Sequence, residues 1–378
     1  MPPEAPHKTV PQGGAWHTAS DGDAQRLGAW AQPLFRGFCR GYHKRMVDAE
    51  TDKERQAHAR PETLTAAVVY NPIKVDLEAL KAAVGGTSGA SEWTTLWFST
   101  SADDPGQGPA REAIEAGASM IIAAGGDGTV RAVAEVVRGS GTTLALLPSG
   151  TGNLLARNLS LTLDDTAHSL ETAFSGVDRN IDVASIEIRR ADRSVDKHAF
   201  LVMAGTGLDA KIMSNTDNDL KKKLGWLAYA QAMVKVMRDK TQLRLEYKID
   251  SGRNRVARVQ AIIVGNCGSL PANILLLPDA AVDDGLLDVI VVKPESIRGW
   301  IAVAVKILWE NGVVKRTKLG RGVRELSTDS VDMRQCKTLT VRLKRPGEVQ
   351  LDGDPFGEMT GFRITVEPGA LTVRVPAA

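Results

Sequence analysis

The chain reads as an α/β protein with two parts, a parallel-sheet layer followed by a β-rich segment. Three observations predict this. Short apolar runs alternate with helical patterns from Leu64 to Leu147, the rhythm of a parallel sheet with helices on both faces. From about Asn180 strand-like segments dominate, several with period-two alternation, which predicts an antiparallel β domain with inserted helices. Glycine-rich turns stand where two of the early apolar runs end.

The elements follow in order. TAAVVYNP is a buried strand closed by an Asn71-Pro72 turn. Val75 to Val84 has helical spacing, and Glu92 to Thr100 is a second strand. Arg111 to Ala118 reads as a helix, Met120 to Ala124 as a third strand, Val130 to Arg138 as a helix, and Thr143 to Leu147 as a fourth strand. Beyond Asn180 the strand candidates are IDVASIEIRR, KHAFLVMAG, LRLEYKID, RVQAIIVGN, LLDVIVV, TLTVRLKR and LTVRVPA. Helices are expected at Leu220 to Arg238 and Ile297 to Leu308. Met1 to Asp23 is rich in Pro, Gly and small polar residues and reads as disordered.

Composition narrows the function. Hydrophobic residues are 43% and charged residues 24%, an ordinary folded mixture. The 47 basic residues nearly balance the 45 acidic ones, which argues against a nucleic-acid partner. Cys39, Cys267 and Cys336 are far apart and form no CxxC pair. Neither a zinc site nor a disulfide framework is expected, and a reducing compartment is. No apolar run reaches the ~18 residues of a membrane span, and no secretory leader is visible.

The chemistry-bearing feature is Gly125-Gly126-Asp127-Gly128-Thr129, between a buried strand and a helix. Glycines there let a ligand approach the backbone, and the helix N-terminus offers unpaired N–H groups to an anion. Asp127 is placed to hold Mg²⁺, a water or a ribose hydroxyl; a plain helix cap is the alternative. A second turn, Pro148-Ser149-Gly150-Thr151-Gly152-Asn153, follows the next strand and also opens a helix. Two such turns on successive strands would converge on one nucleotide at the carboxyl edge of the sheet. No P-loop pattern is present. Asn71 and Lys74 add a third polar loop on the same side, with Lys74 either pairing with phosphate or simply solvated.

GGDGTV, PSGTGNLLARNL and the upstream NP turn resemble the diacylglycerol kinase catalytic family, which includes bacterial lipid kinases and is related to sphingosine kinases. Further matches are Gly205-Thr206-Gly207-Leu208-Asp209-Ala210, then Asn266 with PDAAVDDGLLDV, and Leu351-Asp352-Gly353-Asp354, which stands where the family ends on LDGE. The resemblance runs from about Leu64 to Ala378. It implies a three-layer α/β ATP-binding domain over 62–178 and a β-sandwich-like lipid-substrate domain over 179–378, whose last segment returns to the first domain. Residues 1–61 are then an extension.

By this resemblance ATP is the donor and Mg²⁺ the cofactor. Asp354 is the candidate general base for a lipid hydroxyl, with Asp352 the fallback; a DGD hairpin turn is the plain alternative. Asp127 and Asp182 belong to a metal and water network. A structural Mg²⁺ is expected on Asp284 with the carbonyls of Ala281 and Leu286. Asn71, Lys74, Thr100, Gly125, Gly126, Gly128, Thr129, Gly150, Thr151, Gly152 and Asn153 complete the ATP site. The sequence departs from the family twice: Asp354 replaces a Glu, and Leu154 replaces an Asp.

The expected reaction is γ-phosphate transfer to diacylglycerol, giving phosphatidic acid. A sphingoid base, a soluble acceptor such as NAD, and a non-catalytic nucleotide sensor are the alternatives. A lipid kinase must reach a bilayer without spanning it, so a cytoplasmic, peripherally membrane-associated protein is expected. Two segments carry that expectation. One is the basic, aromatic stretch Arg26 to Met46, read as an amphipathic helix. The other is Arg298 to Arg324. For both, packing on the chain's own body is the alternative. The oligomeric state stays open, a homodimer included.

Overall fold

Four apolar runs form the parallel layer of the computed structural model, which describes residues 64–207, 242–270, 274–293 and 331–377. The expectations for Arg26 to Met46, Leu208 to Ala210, Leu220 to Arg238, Ile297 to Leu308 and Arg298 to Arg324 lie outside the described residues. Strands β1 (Leu64–Tyr70), β2 (Trp93–Ser99), β3 (Met120–Gly125) and β4 (Thr143–Pro148) run parallel in the order β2-β1-β3-β4. Every residue of β3 is buried, as expected for a strand covered on both faces.

Five helices flank these strands: α1 (Leu77–Gly85), α2 (Gln107–Glu115), α3 (Asp127–Val137), α4 (Leu154–Asn158) and α5 (Thr166–Ser175). Side-chain alternation sorts them onto two faces. Ala67, Val69, Ile121, Ala123, Leu144 and Leu146 pack with α2, α3 and α4. Ala66, Val68, Met120, Ile122, Ala145 and Leu147 pack with α1 and α5. The result is the three-layer arrangement. α2 starts four residues before the expected Arg111, because the Asp104 carboxylate accepts the Gly106 and Gly108 amides and caps it early. The sequence reading had no helix at α5, which Asp165 caps by accepting the His168 amide.

The β-rich part holds β5 (Val177–Arg189), β6 (Val195–Phe200), β7 (Met203–Thr206), β8 (Leu243–Ile249), β9 (Arg255–Val259), β10 (Ala261–Gly265), β13 (Leu287–Val292), β14 (Val331–Cys336), β15 (Thr338–Leu351) and β16 (Asp354–Val375). β11 (Ser269–Leu270) and β12 (Ile274–Leu275) make a separate small ladder. Hydrogen bonding is continuous from β2 to β14, because β16 pairs with β4 of the parallel layer as well as with β15. Ile181, Val183, Leu371 and Val373 enter the core of the parallel layer. Ile186, Ile188, Phe362 and Ile364, on the same two strands, enter the β-domain core with Phe200, Leu245 and Tyr247. Val373 of β16 pairs in parallel with Leu144 of β4.

Two buried carboxylates hold this part together. KHAFLVMAG, expected as one strand, is divided between β6 and β7 because Asp352 takes the backbone between them. Its carboxylate accepts the amides of Leu201 at 2.9 Å, Val202 at 2.8 Å and Met203 at 2.9 Å. Asp352 (φ 49°) and Gly353 (φ 92°) form the left-handed turn of the β15–β16 hairpin, which Leu351 and Asp354 close. Asp182 accepts the Gly285 amide at 2.6 Å and the Gly369 amide at 2.8 Å, and its own amide donates to Val282. Gly369 lies in the irregular stretch of β16, between Glu367 and Leu371.

Asp352→Asn offers one acceptor oxygen where three amides need two. We expect a loss of about 1–3 kcal/mol in urea unfolding at pH 8, where the carboxyl is ionised. Burial pushes the Asp352 carboxyl up to about 6 from its ordinary 3.8, against the pull of its amide donors. Asp288 is also pushed to about 6, by burial and then by the charges of Asp284 and Asp279. Between these values the folded chain binds protons that the unfolded chain has released. The stability gained is full below about 4 and is lost as pH rises through about 6. Unfolding midpoints should therefore fall between pH 5 and 7, and less steeply in Asp352→Asn.

Candidate active site

The ends of the parallel strands lie in one row. The Thr100 amide donates to Tyr70 at 2.9 Å, the Asn71 amide to Ala124 at 3.0 Å and the Ser149 amide to Gly125 at 2.9 Å. Asn71 Oδ1 accepts the Ile73 amide at 3.0 Å, a tight turn that carries Lys74 back over the sheet edge. Thr100 is buried beside that turn. Because Gly125 pairs with Pro148, the two glycine turns leave the sheet at the same level.

The turns touch backbone to backbone. A Cβ on Gly150 would lie 2.8 Å from Gly126 Cα, and a Cβ on Gly126 would lie 2.6 Å from Lys74 Nζ. A Cβ on Gly125 would meet Thr129, itself buried, at 2.7 Å. Asn153 ties the second turn across its mouth: Oδ1 accepts the Gly150 amide at 3.1 Å and Nδ2 donates to the Gly150 carbonyl at 2.8 Å. Thr151 stands exposed at its tip.

Asp127 latches one turn to the other. Its Oδ2 accepts the Asn153 amide at 2.9 Å and its Oδ1 the Leu154 amide at 2.5 Å. The carboxylate therefore supplies acceptors for the N-terminus of α4, and Gly152 is the residue that lets it in. Gly126, at the N-cap of α3, has no side chain to cap that helix, and the Asp127 carboxylate takes only the first helical amide, which leaves those after it facing an anion site. Burial pushes the Asp127 carboxyl above its ordinary value, against the Leu154 and Asn153 amides, and the charge of Asp354 pushes the same way.

Asp354 reaches this point from the other end of the chain. The β15–β16 hairpin sets its Oδ2 3.1 Å from where a Cβ on Gly128 would be. Its Oδ2 also lies 3.5 Å from Arg131 Nη2, and its side chain is 49% exposed against 6% for Arg131. Asp354 therefore both closes the DGD hairpin and lies against Gly128.

Arg131 was not singled out in the sequence. Its Cζ lies 4.5 Å over the ring of Phe356, and its Nη1 is 4.0 Å from Glu135 Oε2. Nε and Nη1 are buried without a hydrogen-bond partner. Glu135 accepts from Gln107 Nε2 at 3.2 Å and faces His198 Nδ1 at 3.5 Å, and His198 meets the Phe356 ring edge-on at 4.8 Å. Burial raises the Glu135 carboxyl, but His198, Gln107 and Arg131 together hold it below its ordinary value. The available signal was one arginine within the apolar run Val130 to Val137, buried almost throughout.

Other predicted residues fall elsewhere. Among the described residues, the Asp182 carboxylate accepts from Gly285 and Gly369 and the Asp352 carboxylate from residues 201–203; neither accepts from the glycine turns. Asp182 therefore sits with the Ala281–Leu286 segment. In that segment the exposed Asp284 accepts the Leu286 amide at 2.9 Å, and Arg179 binds Asp283 at 2.7 Å. Among the described residues no group of three or more His, Cys, Asp or Glu side chains is gathered for a metal.

Comparisons with known proteins agree with this architecture. The model described as Diacylglycerol kinase catalytic domain matches residues 66–186. The model described as YegS C-terminal NAD kinase beta sandwich-like domain matches residues 202–375. The chain is 34% identical over 278 residues to a Pseudomonas aeruginosa (strain UCBPP-PA14) protein named "Probable lipid kinase YegS-like", covering 70% of this chain and 80% of that one. It is 27% identical over 260 residues to the Bacillus subtilis (strain 168) diacylglycerol kinase, covering 67% and 76%. A crystal structure of a diacylglycerol kinase from Bacillus anthracis str. Sterne superposes with a TM-score of 0.56 at 19% identity, covering 82% and 96%. With two glycine turns latched at the edge of a parallel sheet and both family domains in sequence, this chain belongs to the diacylglycerol kinase and YegS-like family of lipid kinases.

Proposed function

We propose that the chain transfers the γ-phosphate of ATP to the hydroxyl of diacylglycerol at a membrane surface, with Asp354 as general base. The observation that carries this reading is the placement of Asp354 against Gly128, where the GGDG turn opens α3. A nucleotide lying across the two turns would set its phosphates on the open amides of α3 and beside Lys74. The acceptor oxygen then forms a bond to the γ-phosphorus, the bond to the bridging oxygen breaks, and the hydroxyl proton passes to Asp354 while ADP leaves.

The two carboxylates at the turns fit a cation that arrives with the nucleotide. Burial first, and then the charge of Asp354, raise the Asp127 carboxyl, so a positive ion arriving beside it would favour its ionised form. Mg²⁺ is bound through one or two carboxylates plus phosphate oxygens and waters, which suits this sparse donor set. When bound it would neutralise phosphate charge. The names of the relatives support a lipid acceptor. Among the described residues no helix is long and apolar enough to cross a membrane, so the proposed contact with lipid is peripheral.

The test is labelled phosphate transfer from ATP to a panel in mixed micelles containing diacylglycerol, sphingosine and, in solution, NAD. Label on diacylglycerol supports the proposal, and label on NAD alone sinks it. Asp354→Asn should lower kcat by about 10²–10⁴-fold with the circular dichroism spectrum unchanged. Gly150→Ala pushes the turns apart and should raise KM for ATP about tenfold or more, with a smaller effect on the lipid KM.

A further inference from the structure

Asp354 is short, half-exposed and at the end of a hairpin, so on its own it would sample several rotamers. A general base needs one position. Resting on the lipid-kinase reading above, we propose that Arg131 is a positioning residue that holds Asp354 in place for the acceptor hydroxyl, with Glu135 and Phe356 fixing the arginine from behind.

The contacts explain how. Asp354 and Phe356 are two apart on β16 and so share one face of the strand. Arg131 rises from the first turns of α3 into the corner between them, its Nη2 toward the carboxylate and its guanidinium plane over the ring. Glu135, one turn further along α3, faces its other nitrogen, and is itself steadied by Gln107 from α2 and His198 from β6. The arginine is thus met from β16 and from its own helix, with α2 and β6 steadying Glu135 behind it, while the carboxylate it meets is open to the site.

Stability does not account for this arrangement. A half-exposed ion pair at 3.5 Å contributes little. Keeping Nε and Nη1 buried without a hydrogen-bond partner, Nη1 only facing Glu135 at 4.0 Å, costs more. An apolar side chain would suit the interior of this helix better. The residue is explained by what it does to Asp354.

Five proteins decide the matter: the wild type, Arg131→Met, Arg131→Lys, Asp354→Asn and the double variant of Arg131→Met with Asp354→Asn. In labelled transfer to diacylglycerol, Arg131→Met should lower kcat about 30-fold with KM for ATP and lipid within about 2-fold. Arg131→Lys should recover most of that loss. In the Asp354→Asn background the same change should cost less than about 2-fold more, because its partner is already gone. Urea unfolding needs no turnover. There Arg131→Met should leave the midpoint nearly unchanged, because Gln107 and His198 still hold Glu135. An equal fold-loss in both backgrounds, a raised KM at unchanged kcat, no recovery with lysine, or a lowered midpoint would each overturn the proposal. Absence of transfer by the wild type would instead sink the lipid-kinase reading, and this inference with it. Transfer by the wild type isolates any failure to Arg131.

Discussion

Everything at the candidate site depends on two backbones approaching closer than any side chain would allow. Gly126 and Gly150 lie in contact, and the Asp127 carboxylate holds them so by accepting the Asn153 and Leu154 amides. The latch brings two helix starts side by side at the edge of the sheet. It also determines what Asp127 can do. With both oxygens already accepting amides it has lone pairs to share, but little freedom to turn. That suits a group that fixes a phosphate cradle and meets a cation already carried by the nucleotide.

The second constraint is that the site is assembled from opposite ends of the described chain. Asp127 opens α3, whereas Asp354 opens β16, and the two are brought together because β16 continues from the β domain into the parallel layer. Asp352 makes this register rigid. By taking three amides between β6 and β7 it pins the hairpin whose next strand carries Asp354. Two aspartates separated by one glycine therefore divide the work: one is buried and structural, the other open and aimed at the glycine turns.

That division shows what was legible in the sequence and what was not. The turns were legible because glycine at a strand end has few other uses, and β3 because a fully apolar run is buried on both faces. The roles of Asp182 and Asp352 were not. Each sits in a pattern that a surface turn would share, and only the fold reveals which amides surround it. Leu154 illustrates the same limit. Its side chain packs into the core, and what the site uses is its amide, which any residue there would supply. Arg131 was hidden for a related reason: the apolar run around it marks it as buried, but only the fold reveals that it meets Asp354 and Phe356 of β16.

The Asp at position 354 and the Arg at position 131 become intelligible together. A carboxylate one methylene shorter than glutamate cannot lean far from its strand, so its oxygen must be set by what stands beside the strand. The guanidinium stands there, on a helix whose first residue is already fixed by the Asp127 latch. The proposed base is therefore referred to the same helix as the phosphate cradle. A displacement of α3 would move both partners of the reaction at once rather than separate them.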